Sequence, residues 1–85
     1  MPSAKEHASK VREWLRRDAA GFDPGDGVTA YQYALAECVE AIKALRATHG
    51  VNDEKLSCWM AEIVTHETCS VPVETIVSRV EDYIR

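Results

Sequence analysis

Residues 29–50, TAYQYALAECVEAIKALRATHG, carry the longest helical pattern in this chain of 85 residues. Thr29 and Gln32 form a capping-box sequence, in which each side chain bonds a backbone amide that the first helical turn leaves free. Gly50 is typical of the residue that ends a helix. The apolar residues between them recur at helical spacing over an arc wide enough for more than one neighbour, which predicts a central helix. Those residues are Tyr31, Ala34, Leu35, Cys38, Val39, Ile42 and Leu45.

Three further segments show the same periodicity. Residues 3–20 begin with a second capping-box sequence, SAKE, and residues 53–67 begin beside Asn52 or Asp53, either of which can cap a helix. The last segment follows Pro72, whose missing amide is tolerated in the first turn of a helix. The apolar faces of these segments are Ala4, Ala8, Val11, Leu15 and Ala19, then Leu56, Trp59, Met60, Ile63 and Val64, then Val73, Ile76, Val77, Val80, Tyr83 and Ile84. Four amphipathic helices with short connections predict an all-α fold, a small bundle in a single domain of residues 1–85.

The connection between the first two helices, GFDPGDGV at residues 21–28, is rich in Gly, Asp and Pro and predicts a loop. Phe22 is the apolar residue that we expect to pack this loop against the core. The loop lacks the Lys-Ser/Thr ending of a phosphate-binding loop. After Asp23 its alternate positions are Gly25 and Gly27, so it also lacks the acidic ligands of a calcium-binding loop.

The composition predicts a soluble cytoplasmic protein. Hydrophobic residues make up 46% of the chain, enough for a core, and the chain has no run of about 18 apolar residues that would cross a membrane. The first residues, MPSAKEHASKVREW, lack the apolar stretch of a secretory signal. Three cysteines at irregular spacing fit reduced thiols better than a disulfide framework. We therefore expect no membrane partner.

Charge is distributed unevenly along the chain, whose net charge is −4. Residues 1–20 carry five basic and three acidic side chains, whereas residues 51–85 carry three basic and seven acidic ones. An acidic protein repels phosphates, so nucleic acid is disfavoured as a partner. The basic first segment has three interpretations. It is a solvated face, or its charge attracts the acidic C-terminal half and so orients the packing of the helices, or it pairs two copies of the chain in a dimer.

Cys58, His66 and Cys69 are the residues that a metal site would use. A structural zinc ion takes four ligands, usually in close pairs, whereas this sequence has one H-x-x-C and places Cys58 on the polar side of its helix. His66 and Cys69 would form a base and a nucleophile only if the connection between them folded back. The sequence therefore predicts no catalytic residues, no cofactor and no metal.

Residues 75–81, TIVSRVE, resemble the recognition helix of helix-turn-helix proteins, with one residue inserted. The third helix would be the supporting helix, with Ala61 at its usual small position. The connection at residues 64–72, VTHETCSVP, is longer than the tight turn of that family and has no glycine. The exposed face of the last helix is acidic, whereas a helix that enters a phosphate-lined groove needs the opposite charge. Its charged residues are Glu74, Glu81 and Asp82 against Arg79 and Arg85. A DNA-binding regulator is therefore the alternative function.

The side of the second helix that is opposite its apolar arc is the first predicted contact surface. Small side chains there would let another helix approach closely, and Tyr33 is an aromatic residue of the kind enriched at interfaces. The alternative is that these residues are good helix formers on a wet face. A second patch lies on the first helix at Arg12, Trp14 and Arg16. The predicted partner-binding residues of the second helix are Tyr33, Ala36, Glu37, Glu40 and Ala44.

Residues 11–23, VREWLRRDAAGFD, followed by a helix and a short acidic C-terminal half, resemble short uncharacterised helical proteins of actinobacteria and their phages. The resemblance covers roughly the first forty residues, implies no specific activity, and favours a phage or mobile-element accessory protein. We expect a non-enzymatic protein-binding module, an inhibitor or adaptor that covers a surface of a partner protein. We also expect a homodimer that places Tyr33 and Ala36 beside the same residues of the second copy.

Overall fold

Four α-helices lie in residues 3–85, the part of the chain that the computed structural model describes. Helix α1 spans Ala4–Ala19, α2 spans Ala30–His49, α3 spans Glu54–His66 and α4 spans Val73–Ile84. These bounds lie close to those predicted, and the described residues form no strand. The predicted all-α fold is confirmed. Within residues 3–85, none of the helices combines the length and the hydrophobicity that crossing a bilayer requires.

Side chains cap three of the helices at the positions that the sequence indicates. At α2 the capping box is complete, because the Gln32 amide donates to the Thr29 hydroxyl and the Thr29 amide donates to the Gln32 side chain, both at 3.1 Å. The Ser3 hydroxyl caps α1, and the carboxylate of Asp53 caps α3. Helix α2 ends at His49 and is capped by Gly50, whose φ of +63° lies in the left-handed region that glycine adopts without strain.

Helix α2 lies at the centre of the bundle, as its wide apolar arc predicts. It packs against α1, α3 and α4, and α1 also packs against α4. Ile42 and Leu45 are at most 1% exposed, and burying a side chain of this size contributes about 1.5–3 kcal/mol. Ala41 is also fully buried, although its single methyl group gives little signal in a hydrophobic pattern. The buried face of α2 therefore covers a wider arc of the helix than the sequence predicts.

Three residues that the pattern assigned to buried helix faces are exposed, namely Ala19, Val64 and Tyr83. Val64 is 65% exposed, because α3 buries Leu56 and Ile63 and the next residue lies about 100° further round the helix. Ala19 is exposed at the last position of α1, beyond the part of that helix that the core covers. Tyr83, near the end of α4, is 44% exposed, and its hydroxyl donates to Asp53. The predicted apolar faces are wrong at these three positions.

Phe22 does not pack the loop against the core, so this prediction is wrong. Its side chain is 50% exposed. Its ring lies 6.4 Å from the Trp14 ring and 5.7 Å from the Arg17 guanidinium, on the outside of α1. An aromatic ring and a cation offer Phe22 a favourable contact there without entry into the core.

Candidate functional site

An apolar groove lies between α2 and the C-terminal half of α3, with a volume of about 390 Å³. Its floor consists of the buried side chains of Leu35, Val39 and Ile63. Its edges carry Val28 and Val64, which are 38% and 65% exposed. The remaining lining residues are Gln32, Ala36, Glu40 and Glu67. We call this feature the α2–α3 groove. A concave, mostly apolar cleft of this volume lies within the range of binding pockets.

Two of the predicted contact residues, Ala36 and Glu40, line the α2–α3 groove, and both are exposed. They lie one helical turn apart on α2, so they present one face. The small side chain of Ala36 leaves this part of the groove open, and the Glu40 carboxylate adds a negative charge to its edge. The Glu40 carboxylate lies 3.9 Å from the Lys43 ammonium, and both side chains are more than half exposed, which makes this ion pair weak.

Glu67 lies at the end of α3 and lines the groove in an unusual backbone conformation. Its φ is +59°, and it is the non-glycine residue with a positive φ among those described. Its amide donates to the Ile63 carbonyl at 2.8 Å, which closes the last turn of α3. Glycine is the usual residue at such a position, and a side chain there costs about 1–2 kcal/mol. The groove therefore keeps a carboxylate at a position that glycine would occupy more stably.

Tyr33 on α2 and Trp14 on α1 contact each other, although the sequence predicts them in two separate patches. Their rings stack with centroids 4.5 Å apart and planes 14° from parallel. The Arg17 guanidinium lies 4.7 Å from the centre of the Trp14 ring, and the Tyr33 hydroxyl donates to Asp26 in the loop. This hydrogen bond raises the pKa of Tyr33 and lowers the pKa of Asp26. The cluster fixes the loop to the start of α2 and leaves one edge exposed.

Glu37 faces α1 and Ala44 packs against the core, so neither lies on an open surface. The Nδ1 atom of His7 lies 2.7 Å from Oε2 of Glu37, and both side chains are largely covered. Ala44 is partly buried and packs against the core. The predicted contact surface on α2 is therefore divided: Tyr33 and Glu37 contact α1, Ala44 packs against the core, and the other two residues line the groove.

On α1, Arg12 is held by α4, whereas Arg16 is exposed. The Arg12 guanidinium donates to both carboxylate oxygens of Glu81, at 2.7 and 3.2 Å, and to the Ser78 hydroxyl at 3.1 Å. The hydrogen bond from Arg12 lowers the pKa of Glu81. Two parallel bonds of this kind fix the relative position of two elements. Arg12 therefore acts within the chain, and of the α1 patch Arg16 is the residue that faces solvent.

Asp53 forms a polar junction between α3 and α4. Its Oδ1 accepts from the amides of Lys55 and Leu56 at 2.9 and 3.2 Å, and its Oδ2 accepts from Arg79 Nε at 2.7 Å and from the Tyr83 hydroxyl at 2.5 Å. Burial alone would raise the pKa of Asp53, but the hydrogen bonds from Tyr83 and Arg79 outweigh it and lower the pKa to about 2. The carboxylate is therefore ionised at neutral pH. The same contacts engage Arg79, the central cation of α4.

The cysteines differ in environment. Cys58 is exposed, Cys69 is partly buried and lies 3.4 Å from Oε2 of Glu62, and Cys38 is fully buried. Burial raises the pKa of the Cys38 thiol to about 12. His66 is exposed. Within residues 3–85, no group of His, Cys, Asp and Glu side chains is arranged to hold a metal ion.

The sequence did not single out Val28 or Glu67 as contact residues, and it placed Val64 in the core. Their meeting at one groove depends on how α3 lies against α2, which helical periodicity leaves open. The sequence signal for an exposed apolar residue on α3 was the pair Ile63 and Val64. Adjacent residues on a helix point about 100° apart, so packing against one neighbouring helix need not bury both. Comparison with family models, with curated proteins and with solved structures found no match to this chain.

Proposed function

We propose that the protein is a non-enzymatic binding module that recognises a partner protein through the α2–α3 groove. The observation that carries the proposal is the pair of exposed valines, Val28 and Val64, on either edge of a buried apolar floor. Isolated exposed apolar residues are common on soluble proteins, but a concave, mostly apolar cleft is the usual shape of a binding site. The fold around it is held by capped helices and interhelical polar contacts, so the groove is preformed.

The mechanism that follows is occlusion. The module offers a rigid surface, and the partner segment that occupies the groove is no longer available for other contacts. A preformed surface avoids the entropic cost of ordering on binding. This mechanism suits an inhibitor or an adaptor, and the resemblance of residues 11–23 favours a phage or mobile-element accessory protein.

Affinity capture from a lysate of the native host tests the proposal. The bait is the wild-type protein, compared with Ala36→Arg, which places a long charged side chain in the groove. Ala47→Arg is the matched control, because Ala47 is also exposed on α2 and does not line the groove. The proposal expects a protein that wild type and Ala47→Arg retain and Ala36→Arg loses. Equal recovery with all three baits would contradict it.

A further inference from the structure

We infer that the occupant of the α2–α3 groove is an amphipathic α-helix of the partner protein, with an apolar stripe flanked by Lys and Arg. This inference rests on the proposed function and adds the chemistry of the partner. It is carried by the shape of the groove, by the charge of its rim and by the backbone at Glu67.

The shape of the groove favours a helix over other peptide conformations. Both of its walls are helices, and residues 3–85 contain no strand whose edge could be extended by a partner strand. Its lining has no aromatic side chain, whereas grooves that bind polyproline segments are lined by aromatic rings. Gln32 and Glu40 are two turns apart on α2, about 12 Å along the axis. This length matches apolar side chains at positions i, i+4 and i+7 of a docked helix.

The charge of the rim favours basic flanks on that helix. Glu40 and Glu67 are the ionisable residues that line the groove. Within the described chain Glu67 takes part in none of the ion pairs, and the Glu40 contact with Lys43 is long and exposed. Of the acidic side chains in residues 51–85, which supply one wall, Glu67 is the one that lines the groove. A partner with Lys or Arg beside its apolar stripe would meet a complementary potential.

The same charge opposes a second copy of this chain as the occupant. A two-fold interface uses one patch twice, so Glu40 and Glu67 of both copies would gather in one contact. Like charges brought together at an interface cost free energy, and this cost excludes wrong partners. The rim that attracts a basic helix therefore disfavours self-association through the groove.

The left-handed backbone at Glu67 supports a role for its carboxylate. Non-glycine residues in sparsely populated backbone conformations cluster at functional sites. Among residues 3–85, the Glu67 side chain makes no ion pair that would account for its presence. A partner cation supplies the missing contact.

Three synthetic peptides of about 18 residues, long enough to form a helix, test the inference. The first has Leu at helical spacing, Lys on both flanks and Ala elsewhere, and the second has Glu in place of each Lys. A third peptide keeps the composition of the first but scatters its Leu residues. Fluorescence anisotropy at low ionic strength measures their affinities. We expect the basic amphipathic peptide to bind at least tenfold more tightly than the other two, because only it offers both an apolar stripe and complementary charge.

Matched variants locate the binding. The double variant Glu40→Gln, Glu67→Gln should bind the basic peptide about tenfold more weakly, since two exposed charge contacts are lost. Glu13→Gln with Asp82→Asn removes the same charge from exposed positions outside the groove and should change affinity by less than about twofold. Val64→Gln should weaken binding without changing the charge, and added salt should weaken it further.

The outcomes separate this inference from the proposed function. The inference of a basic helix would be overturned if the basic and acidic peptides bound equally. It would also be overturned if the two double variants, inside and outside the groove, weakened binding equally. If the peptides all fail while host capture still depends on Ala36, the binding module stands and this occupant is wrong. If wild type forms a dimer that Ala36→Arg splits and Ala47→Arg does not, the groove holds a second copy and the inference is also wrong.

Discussion

The Nε atom of Arg79 lies 2.7 Å from Oδ2 of Asp53, which joins the middle of α4 to the first turn of α3. The Asp53 side chain is 4% exposed, whereas the Arg79 side chain is 40% exposed. The pair therefore has a buried acceptor and a donor that reaches in from the surface. Because Asp53 also caps α3, one carboxylate fixes both the start of a helix and its neighbour.

Asp53→Asn should lower the free energy of unfolding by about 1–3 kcal/mol at neutral pH. Asparagine caps a helix as well as aspartate does, so the loss reports mainly on the charged bonds to Arg79 and Tyr83. The pKa of Asp53 in the folded protein, about 2, lies below the ordinary value near 3.9, so its contribution is complete above about pH 4 and is lost as the pH falls toward 2. Urea titrations between pH 2 and 7 measure this dependence.

The Asn variant serves as its own control for the pH effect. In Asp53→Asn the acid-dependent loss of stability should be smaller than in wild type, because this carboxylate no longer titrates. An identical pH dependence in both proteins would mean that other carboxylates dominate and that the Asp53 junction is weak.

Glu67→Gly should raise the free energy of unfolding by about 0.5–1 kcal/mol, because glycine adopts a φ of +59° without strain. The same substitution at Glu40, in the interior of α2, should instead lower it by about 1 kcal/mol. Thermal unfolding of both variants gives the comparison. Glu67→Gly should at the same time weaken the basic amphipathic peptide, so stability and binding would change in opposite directions. A loss of stability in Glu67→Gly would show that the αL residue is not strained.

The helices could be predicted because their signals are local. Capping sequences, periodicity and Gly50 each involve residues within a few turns, and the described helices follow them closely. The contacts that position the helices could not be predicted in the same way. The Arg12–Glu81 pair joins residues 69 positions apart, and nothing in the helical pattern distinguishes it from other charge pairs.

The candidate site could be predicted only in part from the sequence, for the same reason. Ala36 and Glu40 stood out because the exposed side of one helix can be read from periodicity. Val64 was assigned to the core because periodicity shows which residues share a face, but the packing of α3 on α2 decides where that face ends. The stacking of the Tyr33 ring on Trp14 could not be predicted either, because it joins residues of two helices.

Thiol labelling with an aromatic disulfide reagent at pH 8 should separate the three cysteines. Cys58 is exposed and should react first, and Cys69 should follow more slowly because it is partly buried and its pKa is raised by burial. Cys38 should react only after unfolding, since its pKa is about 12 and the thiolate is the reactive form. Cys58→Ser should remove the fast phase alone. Rapid reaction of all three thiols in the folded protein would contradict the buried position of Cys38.

Mobility shifts on duplex DNA at low ionic strength test the alternative function. We expect little binding, because Arg79 is engaged by Asp53 and Arg85 lies 3.6 Å from Asp82. The net charge of −4 opposes contact with phosphates as well. Asp53→Asn removes the carboxylate that engages the Arg79 guanidinium, so it tests DNA binding more stringently than wild type does. A sequence-selective shift that is stronger for Asp53→Asn and weaker for Arg79→Ala would support the helix-turn-helix regulator.

Light scattering on concentrated wild-type protein tests the homodimer that the sequence predicts against the groove with a foreign occupant. If the groove serves a basic helix, wild type should be a monomer, since the carboxylates of Glu40 and Glu67 oppose a second copy at this face. Ala36→Arg should then remain a monomer and remain folded, because Ala36 is exposed and arginine is a good helix former. A wild-type dimer that Ala36→Arg converts to monomer, while Ala47→Arg leaves it intact, would establish the dimer instead. A dimer that neither variant affects would place self-association on another surface, where the exposed cation Arg16 of α1 is the first position to substitute.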